Sequence, residues 1–211
     1  MPLFYQQDIN ETTRLAVWKI EEEEDFFLAK VPLQMNITHP NKRLQHLAGR
    51  YLLQYLFPDF PYDELLIADT RKPFLPNEQY HFSISHCGEH AAAIVSRSHR
   101  VGIDIEVPNE RIAKIRHKFL HEEERKQFNV EEATEAISNI DMLATLWCAK
   151  EAMYKWWGNG SVDFSEMLRI ENVSSKEDGL IDALFIHNRM KVPLQLHYQD
   201  MVAVYMVWVE S

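Results

Sequence analysis

The sequence predicts an α+β fold of two similar lobes, each a small antiparallel sheet packed against a long helix. Two helical stripes stand far apart: Leu44, Leu47, Ala48, Tyr51, Leu52, Tyr55 and Leu56, and a second between Asn129 and Trp157, a stretch without Gly or Pro. A strand–turn–strand pattern occurs twice: Phe82–His86 with Ala91–Val95 is echoed by Leu194–Tyr198 with Val202–Met206. The chain beyond Gly158 and Gly160 is strand-rich. The lobes are expected at 1–100 and 101–211.

The bulk composition fits. A chain of 211 residues with 46% hydrophobic and 26% charged residues folds as a globular protein with a real core. A net charge of -10 argues against a general nucleic-acid binder. Cys87 and Cys148 sit in no paired motif, so reduced thiols are expected. The first residues lack a basic segment followed by an apolar run. Met201–Val209, the longest apolar run, is too short to span a bilayer as a helix. A cytoplasmic protein with no membrane role is expected.

In chain order, Leu15–Ile20 reads as a strand and the acidic run Glu21–Asp25 as a solvated face. Thr38 caps a helix with Pro40 in its first turn, ended by Pro58 and Pro61. Lys42, Arg43 and Arg50 fall off its stripe, as a basic edge or as solubility charges. Arg71–Phe74 is a basic turn. Tyr80–Ser85 and Ala91–Ser96 form a hairpin through Cys87-Gly88, and Ser83, Ser85 and His86 either meet a phosphate or are turn chemistry. Short helices follow around Ile112–Phe119 and His121–Phe128. Asn129 and Glu132 resemble a capping box for the long second helix. Strands are expected at Met167–Val173, Leu180–Phe185, Val192–Tyr198 and Met201–Val209.

The strand Val101–Val107 carries the chemistry. Val101, Ile103, Ile105 and Val107 point one way; Gly102, Asp104 and Glu106 point the other. Two carboxylates roughly 7 Å apart beside a bare glycine backbone suit a hard cation such as Mg²⁺, or the polar face of a half-exposed strand. On the second helix the stripe Ala133, Ala136/Ile137, Ile140, Leu143/Ala144, Trp147 arrives next at Glu151. A carboxylate at a core position needs a partner. Either Glu151 pairs with Lys155 on the surface, or it joins Asp104 and Glu106 in a metal site.

Gly102-x-Asp104-x-Glu106 and Trp147-x-x-Lys150-Glu151-Ala152-x-x-Lys155 resemble the two signature motifs of the 4′-phosphopantetheinyl transferases, in their single-chain Sfp type. Leu47-Ala48-Gly49-Arg50, Lys72-Pro73-Phe74, Ser83-Ile84-Ser85-His86 and His117-Lys118-Phe119-Leu120 with Glu122-Glu123-Glu124 are similar to further family segments, in the same order. Arg71 stands where the family has glycine, His81 where it has asparagine, and Cys87 replaces the residue after the histidine.

The resemblance implies a pseudo-twofold 4′-phosphopantetheinyl transferase fold with coenzyme A between the lobes. It implies transfer of phosphopantetheine from coenzyme A to a serine of an apo acyl or peptidyl carrier protein, releasing 3′,5′-ADP. Asp104, Glu106 and Glu151 would hold Mg²⁺, with Mn²⁺ also suited. Glu151 would be the base and Lys155 would neutralise phosphate charge, both as catalytic residues. Ser85 and His86 would meet coenzyme A phosphates, and Lys72 and Pro73 its adenine end. Arg43, Arg50 and Lys150 complete the basic set expected at coenzyme A. Arg111, Lys114, Arg116 and Lys118 would dock the carrier protein, or form a solvated helix face. A monomer suffices, since both lobes lie in one chain. A non-catalytic coenzyme A or carrier-protein binding module and a Mg²⁺-dependent phosphohydrolase are the competing readings.

Overall fold

The first unit is built on a sheet of order β1-β2-β6-β5, antiparallel throughout. Its elements are β1 (Leu3–Asp8), β2 (Thr13–Lys19), α1 (Glu24–Leu28), α2 (Pro40–Leu56), the two-residue pair β3 (Leu66–Ile67) and β4 (Pro73–Phe74), β5 (His81–Cys87) and β6 (His90–Ser96). These come from a computed structural model that describes residues 2–33, 36–69, 72–174 and 178–211. The chain divides into two compact units, Met1–Val101 and Gly102–Ser211. Arg71, and with it the start of the expected basic turn, lies outside the described residues.

Central strands read as apolar runs because both faces are covered. Leu15, Ala16 and Val17 of β2 are fully buried, as are Ala91–Val95 of β6. The alanines of β6 leave room for α2, which packs on β6, β5 and β2. It passes close to β5 at Gly49, where a Cβ would lie 2.5 Å from Ile84 Cγ2. The cap of α2 is His39, in an extended conformation, and not Thr38. Proline at the first helical position pushes the residue before it out of the helical region, so the boundary sits directly before Pro40. The acidic run is not uniformly solvated either. Glu22 accepts from Trp18 Nε1 at 3.0 Å, and Glu24 takes a bidentate contact from Arg43. β1 was not foreseen: its half-exposed edge position leaves a weak pattern in Phe4–Asp8.

The second unit comprises β7 (Val101–Glu106), α3 (Glu110–Phe119), α4 (Glu122–Gln127), α5 (Ala133–Ser138), α6 (Ile140–Trp157), β8 (Leu168–Val173), β9 (Asp178–His187), β10 (Met190–Asp200) and β11 (Tyr205–Glu210). Its sheet order is β7-β11-β10-β9-β8, and α6 packs on β11, β10 and β8. α4 covers the outer edge of β8: Glu124 Oε1 accepts from Ile170 N at 2.7 Å, and Gln127 Nε2 donates to Glu171 O at 2.7 Å. These contacts satisfy backbone groups that an open edge would leave bare.

The expected long helix is two helices. Asn129 adopts a left-handed φ of 52°, and Asn139 (φ -110°, ψ 36°) separates α5 from α6. Asparagine tolerates both conformations because its short amide bonds the local backbone, here Asn139 Nδ2 to Asn129 O at 2.8 Å. The capping box is accordingly Glu132 with Glu135, three residues later than expected. Gly158, left-handed at φ 73°, ends α6 as expected. The last strand starts at Tyr205 and not at Met201, because Met201–Val204 form a turn with Val202 at φ 68°. No disulfide joins Cys87 and Cys148, and among the described residues no helix is long and apolar enough to cross a membrane.

Candidate active site

Each unit carries one cluster of the expected residues. In the second unit β7 and α6 meet at Gly102. A Cβ there would lie 2.0 Å from Ala152 O and 2.8 Å from Trp156 N. The bare backbone at 102 therefore serves the close passage of α6 over β7. It also means that the Gly102–Asp104–Glu106 face is covered: Asp104 is 5% exposed and Glu106 half-buried, so this is no solvated strand face. Val101, Ile103 and Ile105 are buried as expected, while Val107 at the strand's end is exposed.

α6 brings Glu151 and Lys155 to this face. Lys155 Nζ donates to Asp104 Oδ1 at 2.7 Å, so the lysine's ion pair crosses to the strand. The Glu151 carboxyl is pushed up to about 7, first by burial and then by the negative charge of Asp104 and, less, of Glu106; Lys155 opposes this. Burial and Asp104 also push the neighbouring Cys148 thiol up. Among the described residues no three His, Cys, Asp or Glu side chains stand close enough to chelate one ion. The donor chemistry, carboxylate oxygens alone, suits a hard divalent cation, and the charge of Glu151 is disfavoured by its acidic neighbours Asp104 and Glu106.

Lys150 belongs elsewhere. It is fully buried, and its ammonium donates to Phe119 O at 2.7 Å, Glu124 Oε2 at 2.6 Å and Phe164 O at 3.0 Å. An ammonium has three donors, and all three are engaged inside the unit, so the expectation that Lys150 contacts coenzyme A does not fit this geometry. Burial pushes it down to about 8 against the pull of Glu124. Arg116 is likewise withdrawn from the expected basic face, because its guanidinium is bonded to the carbonyls of Ala113, Val130 and Glu131. Arg111, Lys114, His117 and Lys118 of α3 remain exposed.

In the first unit, Arg43 is bound by both oxygens of Glu24 (2.8 and 2.7 Å) and by Ile37 O at 3.0 Å; it ties α2 to α1. Arg50, only 6% exposed, donates from Nη1 to His46 Nδ1 at 3.0 Å. Since a guanidinium can only donate, the His46 ring is neutral with its proton on Nε2. Arg50 Nε, His46 Nε2 and Tyr62 Oη are buried without a hydrogen-bond partner among the described residues. Such groups are costly unless an acceptor reaches them. His86, exposed at the end of β5, acts electrostatically on His46, whereas Ser85 is buried within β5. Lys72 and Pro73 are half-buried, and burial with the charge of Arg100 pushes the Lys72 ammonium down to about 8. Sequence reasoning missed His46 and Tyr62. The signal for His46 was its position one helical turn before Arg50; nothing marked Tyr62.

Burial, Arg50 and His86 hold His46 at about 4, below its ordinary 6.5. The unfolded chain binds a proton at His46 below pH 6.5 that the folded ring refuses until about pH 4. Stability is therefore full above pH 6.5 and falls as the pH drops toward 4, by about 1–2 kcal/mol after allowing for partial exposure. Urea unfolding at pH 7 and pH 5 checks this: His46→Gln should flatten the pH dependence, and equal slopes in the two proteins would rule the histidine out.

The carboxylates on β7 and the Glu151–Lys155 turn of α6 lie inside residues 100–197, which match the family model described as the 4′-phosphopantetheinyl transferase superfamily. Residues 100–197 form a 4′-phosphopantetheinyl transferase superfamily domain. Relatives agree. Enterobactin synthase component D of Escherichia coli (strain K12) is 38% identical over 85 residues, 40% of either chain. The 4′-phosphopantetheinyl transferase gsp of Aneurinibacillus migulanus is 34% identical over 116 residues, 54% of this chain and 46% of its own. The 4′-phosphopantetheinyl transferase AcpT of Escherichia coli O157:H7 is 28% identical over 123 residues, 57% of this chain and 60% of its own. The match thus spans about half the length of these relatives. The matched residues cover most of the second unit, stopping within β10 before β11, and hold every acidic residue of the β7–α6 face.

Proposed function

We propose that the protein transfers 4′-phosphopantetheine from coenzyme A to a serine of an apo acyl or peptidyl carrier protein. The observation that carries this is the acidic face shared by β7 and α6, with Lys155 held against Asp104 at 2.7 Å inside the transferase-superfamily domain. Asp104, Glu106 and Glu151 would hold a divalent cation, Mg²⁺ or Mn²⁺. When bound, that ion supplies positive charge to the pyrophosphate of coenzyme A. Lys155 adds its own charge at the phosphoryl oxygens, where phosphoryl transfer needs stabilisation most. Glu151, directly or through a water, takes the proton of the serine hydroxyl as its oxygen attacks the phosphorus. The bond from that phosphorus to the bridging oxygen breaks, and 3′,5′-ADP leaves with the electron pair.

In the first unit Arg50, with the orphaned donors of His46 and Tyr62, suits an anionic part of coenzyme A, and exposed His86 stands near them. Ser85, Lys72 and Pro73 keep their proposed places at the phosphates and the adenine end. Arg43 acts through the position of α2. We place the enzyme in the cytoplasm as a monomer.

The test is mass spectrometry of an apo carrier protein incubated with the protein, coenzyme A and Mg²⁺. The expected result is a gain of one phosphopantetheine arm that needs Mg²⁺ and drops at least a hundredfold in rate, roughly, with Glu151→Gln. No gain with several carriers while coenzyme A still binds would replace the transferase by a binding module. For docking we propose the exposed residues Arg111, Lys114 and Lys118 of α3. Reversing the charge of Lys114 or Lys118 should raise KM for an acidic carrier severalfold and leave KM for coenzyme A unchanged, as expected of a rim charge. An unchanged carrier KM would remove α3 from the interface.

A further inference from the structure

Lys150 and Glu124 form a buried pair, 0% and 1% exposed, whose side chains reach neither the acidic face nor solvent. A buried ion pair is seldom kept for stability, since apolar residues of like volume serve as well or better. Its geometry is over-determined. The Lys150 ammonium is bonded by three acceptors on three segments: Phe119 at the end of α3, Glu124 of α4, and Phe164 in the loop before β8. Glu124 is fixed in turn, because its Oε2 also accepts from His121 N at 2.7 Å and its Oε1 accepts from Ile170 N. Lys150 is the chain neighbour of Glu151 and lies about 100° round the helix from it. Any rotation or slide of α6 that displaces Glu151 must also pull the ammonium off its three acceptors.

We infer that Lys150 and Glu124 are positioning residues, locking the rotation and height of α6 so that Glu151 and Lys155 stand correctly against Asp104 and Glu106. The inference rests on the transferase reading above. It also gives α3, which bears the exposed basic residues, a direct tie to the helix carrying Glu151, through Phe119 O. A displacement of about 1 Å at a reacting group can lower a rate a hundredfold, so the effect belongs in kcat and not in coenzyme A binding.

The decisive protein is the double variant Glu124→Leu with Lys150→Met, which replaces the charges by apolar groups of similar size. The unmodified protein is assayed first; if it transfers nothing to any carrier, the transferase reading fails and this inference with it. With an active parent, thermal unfolding and steady-state kinetics are measured on the double variant. The expected result is a lowered unfolding midpoint, because the backbone groups of Phe119, His121, Phe164 and Ile170 lose their partners, with KM for coenzyme A within about twofold and kcat lowered roughly tenfold to a hundredfold at temperatures where the variant is folded. A folded variant with full kcat would overturn the inference and leave the pair a structural role only. Should the double variant fail to fold, Glu124→Gln replaces it, assayed where circular dichroism shows it folded. That amide keeps the shape but turns a donor toward Lys150 or Ile170. Loss of kcat at unchanged KM for coenzyme A supports positioning, and unchanged kcat overturns it.

Discussion

Replacing Gly102 by alanine is expected to lower the stability of the second unit by about 3 kcal/mol or more. The added Cβ would sit 2.0 Å from Ala152 O and 2.8 Å from Trp156 N, and both neighbours are backbone. No side-chain rotation can relieve such a contact, so β7 and α6 must part. For a chain of this size the change corresponds to a fall in unfolding midpoint of roughly 6–12 °C. The same separation pulls Asp104 away from Lys155, so transfer activity should fall even where the protein is still folded. Calorimetry checks the first claim. A midpoint within a degree of the parent's would show that the helix and strand are not locked there.

Lys150→Met alone should be the second severe change. It removes the ammonium but leaves Glu124 buried and charged, with only the amides of His121 and Ile170 to face. Breaking a buried pair from one side typically costs about 3–5 kcal/mol. The comparison is Lys126→Met, whose pair with Glu122 has both side chains 60% exposed. Exposed pairs contribute at most about 1 kcal/mol, so this variant should unfold almost as the parent does. Urea denaturation of the two side by side is the measurement. Equal losses would mean that the burial of Lys150 has no energetic consequence.

Much of the fold was legible. Strand β5 follows from a period of two, β6 from a short apolar run bounded by turn residues, and the stripe of α2 from a period of 3.6, all of which depend only on local sequence. The break at Asn139 was not legible, because asparagine does not forbid a helix; it only permits an interruption that packing then selects. The acidic run Glu21–Asp25 read as solvent-facing because charge alone cannot tell water from a partner such as Arg43, 19 residues further along the chain.

By itself the sequence determined which residues could do the chemistry. The alternation Gly102–Asp104–Glu106 puts two carboxylates on one side of a strand, and the off-pattern Glu151 with Lys155 one turn later marks one side of a helix. These facts are local and hold wherever the segments lie. Only the tertiary structure decided which charges face outward and which inward. Lys150 and Lys155 belong to one motif, yet the first is fully buried against Phe119, Glu124 and Phe164 while the second reaches Asp104. Arg116 and Lys114 share a basic helix, yet one is spent on backbone carbonyls and the other is exposed. The physical reason is that a charged side chain's role is set by what desolvates and pairs it, and those partners come from segments distant in the chain.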